Sequence, residues 1–231
     1  MFKYAGTLLL LVAVLSGIIG CLEKNANNPE NAVPEIPQLV LFRGPSSSAV
    51  PEALKNSIEE FNAKMATGYT YLSIATISSP NENDNHYVWQ VSAGGFTAEI
   101  EAIKEDENTV SWTVTISGSD GSHSYDNWVA LQGTSNMEGT EGSWHIFAEN
   151  STNELGVFSW SVDDSGVKTG TFQATGENYT YEIINNPDGS GSFIKREGTV
   201  KVYEAVWDAS GKGSWTLWDT QGNVQDSGSW S

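Results

Sequence analysis

Gly213-Ser214-Trp215-Thr216-Leu217-Trp218-Asp219-Thr220-Gln221-Gly222-Asn223-Val224-Gln225-Asp226-Ser227-Gly228-Ser229-Trp230 is the stretch that decides the fold. Two runs, each containing Gly-Ser-Trp, flank a cluster of turn-forming residues. The same triplet, glycine then Ser or Thr then a large aromatic, also occurs at Gly142-Ser143-Trp144, Gly170-Thr171-Phe172 and Gly191-Ser192-Phe193. On a strand, residues two apart share a face, so each triplet sets a bare glycine beside an aromatic on one surface. An aromatic from the neighbouring strand can cover that exposed backbone. From Leu155 to Ser231 the chain therefore reads as successive hairpins of one large, curved antiparallel sheet.

Working back towards the N-terminus, the pattern persists to about Tyr69. Expected strands are Tyr69–Ser78, Tyr87–Ser92, Phe96–Lys104, Thr109–Ser117, Trp128–Gln132, Ser143–Ala148 and Leu155–Val162. Lys168–Thr175, Tyr179–Ile184, Ser192–Arg196, Thr199–Trp207, Lys212–Trp218 and Val224–Trp230 follow. Turns such as Asp163-Asp164-Ser165-Gly166, Asn186-Pro187-Asp188-Gly189 and Asp208-Ala209-Ser210-Gly211 supply residues that tolerate positive φ. Every connection is short, which predicts sequential antiparallel neighbours. Val110, Trp112, Val114 and Ile116 alternate with Ser111, Thr113 and Thr115, so one face is buried and the other wet. Val200–Trp207 carries bulk on both faces, with Tyr203 and Trp207 on one and Val202 and Val206 on the other.

Ahead of the strands lies one amphipathic helix, about Val50 to Ala66. Pro51 and Glu52 suit its first turn, and Gly68 suits its stop. Val50, Leu54, Ile58, Phe61 and Met65 form one apolar stripe. Leu39–Phe42 reads as a short first edge strand. The expected class is mainly β: one up-and-down antiparallel meander of about a dozen strands, curled into a barrel or half-barrel, with the helix packed on it. In outline this is similar to the half-barrel lipoprotein carriers, whose likeness implies an apolar ligand between helix and sheet. The residues expected to line such a groove are Leu54, Ile58, Phe61 and Met65, facing Phe96, Ile100, Trp112 and Val114.

The N-terminus carries an address. Lys3 precedes an apolar run, Thr7–Ile19, too short to cross a bilayer comfortably and ending in small residues. Ile18-Ile19-Gly20-Cys21 resembles the lipobox of prokaryotic lipoproteins. The resemblance implies a signal peptide over residues 1–20, cleavage after Gly20, and a diacylglycerol-bearing Cys21. It also implies an extracytoplasmic protein on the cell or outer membrane. Residues 21–38, rich in Asn and Pro, read as a disordered tether, and 39–231 as one domain. Cys21 is the only cysteine, so no disulfide is available.

The chain holds 29 acidic against 11 basic residues, a formal charge of −18. Such a surface repels phosphate backbones, so nucleic acid is not an expected partner. No catalytic constellation stands out. His86, His123 and His145 share no metal-ligand spacing, and no metal or cofactor is expected. Glu99 and Glu101 share a strand face, but the face opposite Phe96, Ala98 and Ile100, where nothing raises a carboxyl pKa for acid catalysis. Asn81-Glu82-Asn83-Asp84-Asn85 lacks the glycine and distal glutamate of a calcium loop and reads as a polar hairpin. No phosphate-binding loop or nucleophile elbow is present. What remains is an aromatic load of 9 Trp, 8 Tyr and 8 Phe. The expectation is a lipid-anchored binding module for a hydrophobic ligand, or alternatively a surface protein whose exposed aromatics bind glycan or protein.

Overall fold

In the computed structural model, which describes residues 32–37, 41–72, 79–119 and 121–231 (backbone only for 64–71), strand order equals chain order. The strands are β1 (Asn81–Asn83), β2 (His86–Ala93), β3 (Phe96–Lys104), β4 (Thr109–Ser119) and β5 (Ser124–Asn136). Next come β6 (Glu141–Phe147), β7 (Glu154–Val162), β8 (Lys168–Ala174) and β9 (Tyr179–Asn185). β10 (Gly191–Glu197), β11 (Val200–Trp207), β12 (Gly213–Trp218) and β13 (Val224–Trp230) complete the sheet. Among the described residues, all 13 strands pair antiparallel with their sequence neighbours and the sheet does not close, so it is open rather than a barrel.

One cross-strand row shows where the core lies. It reads Tyr87, Ala102, Trp112, Gly133, Trp144, Phe158, Phe172 and Tyr181 from β2 to β9, then Lys195, Tyr203, Leu217 and Asp226 from β10 to β13. Opposed residues share a face, so this whole row lies on the inner surface. Apart from Gly133, which is partly exposed, it is buried as far as Tyr181. From Lys195 on it is half-buried, then exposed.

The glycine-aromatic triplets explain why the sheet packs so closely. A methyl group added to Gly142 would meet the Trp160 ring at 2.5 Å, on Gly191 the Trp207 ring at 2.5 Å, and on Gly213 the Trp230 ring at 2.3 Å. Each ring lies over the bare backbone of the preceding strand. Its indole N–H then donates to a turn carbonyl just upstream: Trp160 to Gly139 (3.2 Å), Trp207 to Gly189 (3.0 Å), Trp230 to Gly211 (2.6 Å). A buried indole donor is thereby satisfied without polar side chains in the core. Gly170 is covered differently, by Phe42 and Phe61 from outside the sheet.

The helix, α1, spans Glu52–Leu72, longer than the sequence suggests. Gly68 does not stop it. A glycine in a helix interior costs about 1 kcal/mol, whereas burying Leu72 stabilises by roughly 1.5–3 kcal/mol, and Leu72 is 1% exposed. Tyr69–Leu72 therefore belong to the helix and not to the expected strand Tyr69–Ser78, whose remaining residues lie outside those described. The thirteenth strand is instead β1, from the stretch read as a polar loop. It is a short, polar edge, a form that discourages further pairing.

Leu41 and Phe42 form no strand. The segment before α1 is a strap held by side chains. Asn62 on α1 accepts from Phe42 N–H (3.1 Å) and donates to Phe42 C=O (2.8 Å). Asn185 on β9 does the same for Arg43 (2.7 and 3.0 Å). Further on, the Ser47 hydroxyl donates to the Ser231 carbonyl (2.9 Å). At the other end, residues 32–37, read from composition as tether, already pack on the domain: Glu35 N–H donates to Met137 C=O (2.9 Å), and Ile36 packs against the core.

Candidate binding surface on the concave face

The inner face is wider than α1 is long. Twelve spacings of roughly 4.8 Å make the sheet close to 58 Å wide along its arc. A helix of 21 residues is about 31 Å long. α1 cannot cover the whole width. Phe61 packs edge-on against Phe42 (5.4 Å) and Phe158 of β7 (5.6 Å), above Gly170 of β8. Beyond β9 the inner face is covered at one end, where Phe193, Ala205, Trp207 and Trp230 are buried, and opens at the other, along Lys195, Tyr203, Leu217 and Asp226.

The strip that runs to this opening is aromatic. Ring centroids run Tyr179–Tyr181 at 5.0 Å, Tyr181–Phe193 at 5.7 Å, Phe193–Tyr203 at 6.2 Å and Tyr203–Trp215 at 6.4 Å, the last pair nearly parallel at 22°. Tyr181 and Phe193 are buried; Tyr179, Tyr203 and Trp215 are half-buried, and Leu217 is 40% exposed. Trp215 lies over Gly228 of the edge strand, its Nε1 2.9 Å from where a methyl would sit. Burial pushes the Tyr203 hydroxyl up to about 12, and burial with the neighbouring Glu177 pushes Tyr179 to about 12. Both phenols are neutral at any physiological pH. Lys195 rises between them, its Nζ 5.1 Å from the Tyr179 ring centre and 5.7 Å from that of Tyr181. The rings therefore hold its ammonium by their negative faces.

The residues nominated from sequence lie elsewhere. Leu54, Ile58 and Phe61 are buried, as are Ile100, Trp112 and Val114. Trp112 stacks on Trp89 (5.9 Å), meets Trp144 edge-on, and donates its indole N–H to Ser135 (2.9 Å). Phe96 is half-buried beside Tyr125 (5.4 Å). Of these, the buried ones pack in the core, where Phe61 meets β7 and β8 and α1 also contacts β3. The Met65 side chain and Cys21 lie outside the described residues. Sequence reasoning did not nominate Lys195, Tyr179, Tyr203 or Leu217. The available signal was the bulk on both faces of Val200–Trp207, which left Tyr203 and Val206 without an element to cover them.

On the outer face, Glu101 Oε1 sits 2.7 Å from His86 Nε2, and Glu99 accepts from Gln90 (3.5 Å). Glu154 accepts from Thr175 (2.6 Å) and pairs with His145 Nδ1 (2.5 Å), contacts that hold its carboxyl below the usual range. Among the described residues no three His, Asp, Glu or Cys side chains converge as a metal site. Two open hollows of about 380 and 480 Å³ lie where turns meet the sheet, lined mainly by polar residues such as Thr134, Ser143, Gln173 and Asn178. Neither a family model nor a curated protein matches the chain.

Proposed function

We propose that this protein is an extracytoplasmic binding module, tethered to a membrane through lipid on Cys21, that captures saccharide on the half-exposed strip of its inner face. One observation carries the reading: the inner row is buried from Tyr87 to Tyr181 (the Gly133 backbone apart) and opens at Lys195, leaving Tyr203 and Leu217 facing the concavity. The apolar face of a sugar ring stacks on such rings. A hydrophobic ligand beneath α1 has less support, because the stripe Leu54, Ile58 and Phe61 is already spent on packing.

Tryptophan fluorescence of the full chain in detergent, titrated with an oligosaccharide panel and with fatty acids, separates the two readings. A saccharide response lost in Trp215→Ala supports the strip; loss of at least tenfold in affinity is expected for a central aromatic contact. A fatty-acid response that survives Trp215→Ala but changes in Phe61→Ala returns the ligand to the space beneath the helix. The tether has its own test. Metabolic labelling with a fatty acid should mark the wild type and not Cys21→Ala, and equal label on both removes the anchor from the proposal.

A further inference from the structure

We infer that the saccharide taken by the strip is a carboxylated one, a uronic acid unit, with its carboxylate on Lys195. The inference rests on the strip being a saccharide seat and adds the chemical class of the sugar.

Lys195 differs from the cations beside it. Arg196 pairs with Glu182 (3.8 Å) and Lys201 with Glu204 (2.9 Å). The Lys195 ammonium has only the faces of Tyr179 and Tyr181, with no carboxylate within 4.0 Å among the described residues. In a chain with 29 acidic residues against 11 basic, a cation held on rings and left unpaired inside a concavity is unusual. Ring faces localise the charge without neutralising it, so its hydrogen-bond donors stay available to an anion.

The register then fixes the rest of the ligand. Tyr203 is directly opposite Lys195, and Leu217 is opposite Tyr203. Trp215 lies two residues from Leu217 on the same face and stacks with Tyr203 at 6.4 Å. Neighbouring strands are roughly 4.8 Å apart, a separation that one sugar ring spans. A ring lying on Tyr203 therefore brings its exocyclic carboxylate to Lys195 and hands the next unit to Trp215 and Leu217. Asp226, at the far end of the row, disfavours a second carboxylate there, so an isolated acidic unit or a chain end fits better than a uniformly charged chain.

The test compares oligomers of galacturonic, glucuronic and mannuronic acid with their methyl esters, by calorimetry on the full chain in detergent. Methyl esterification removes the charge and adds a methyl group, and the Lys195→Met series separates the two effects. At low salt at least one acid should bind ten or more times tighter than its ester. That preference should vanish in Lys195→Met, persist in Lys195→Arg, and shrink as salt is raised. Equal binding of acid and ester in all three series overturns the inference and leaves a saccharide seat standing. Binding of none of these, nor of any neutral saccharide in the panel, overturns both. A preference that survives Lys195→Met in a folded protein places the carboxylate elsewhere and also overturns it.

Discussion

Trp230 and Trp215 belong to the same sequence triplet but do different work. Trp230 is buried, covers Gly213 and donates to Gly211, so Trp230→Ala should cost about 3–5 kcal/mol in denaturant unfolding. Trp215 is half-buried, set against Tyr203 and over Gly228. Trp215→Ala should cost roughly 1–2 kcal/mol, nearer the ordinary range for single substitutions. Equal losses would mean that the strip is packed as tightly as the core. The triplet was legible in the sequence because period two fixes which residues share a face. How far each ring is buried was not, since that depends on what α1 and the strap cover. Lys195 was hidden for the same reason: its environment comes from Tyr179 and Tyr181 on β9, set by register and not by any local pattern.

At the scale of elements, turns and strap hold the strands in place. Asp163, Asp188, Asp208 and Asp219 each accept backbone N–H donors within their own turn, at 2.8–3.1 Å, as in Ser165 and Val167 to Asp163. Hydrogen bonds from Ser165, Ser190, Ser210 and Asn223 come first among the causes that hold these carboxyls below their ordinary range. A carboxyl with a depressed folded pKa contributes stability above its unfolded value, near pH 4, and that contribution is lost as pH falls through the folded value. Acid unfolding should therefore flatten below pH 4 when these aspartates are replaced together by alanine, and an unchanged profile would remove the turns from the account. The strap makes a separate prediction. A methyl at Gly170 would lie 2.5 Å from Phe42 and 3.1 Å from Phe61, so Gly170→Ala should destabilise by about 1–3 kcal/mol. Paired with Phe42→Ala, the two losses should not add. Leu41 and Phe42 are strap where the pattern suggests strand, because the order here comes from Asn62 and Asn185, distant polar residues with no periodic signature.

Across the whole molecule, the strap ties together strands that the open sheet leaves far apart. It meets Met137 after β5, Gly170 on β8, Asn185 on β9 and Ser231 after β13. Asn185→Ala removes two hydrogen bonds to Arg43 and should raise hydrogen exchange in β10–β13 more than in β2–β5. The sheet's order and class could be read from alternation and short turns alone. Its open edge and the half-exposed row from Lys195 to Leu217 could not, because they depend on how far α1 and the strap reach across the sheet. The functional account depends on that exposed row. The direct measurement is the indole N–H spectrum of tryptophan-labelled protein, 9 resonances in all, during titration with the tightest-binding saccharide of the panel. The account predicts that the Trp215 resonance moves while Trp89, Trp112, Trp144 and Trp160 stay fixed. Shifts among those buried indoles with Trp215 unmoved, or no shift with any saccharide, would contradict it.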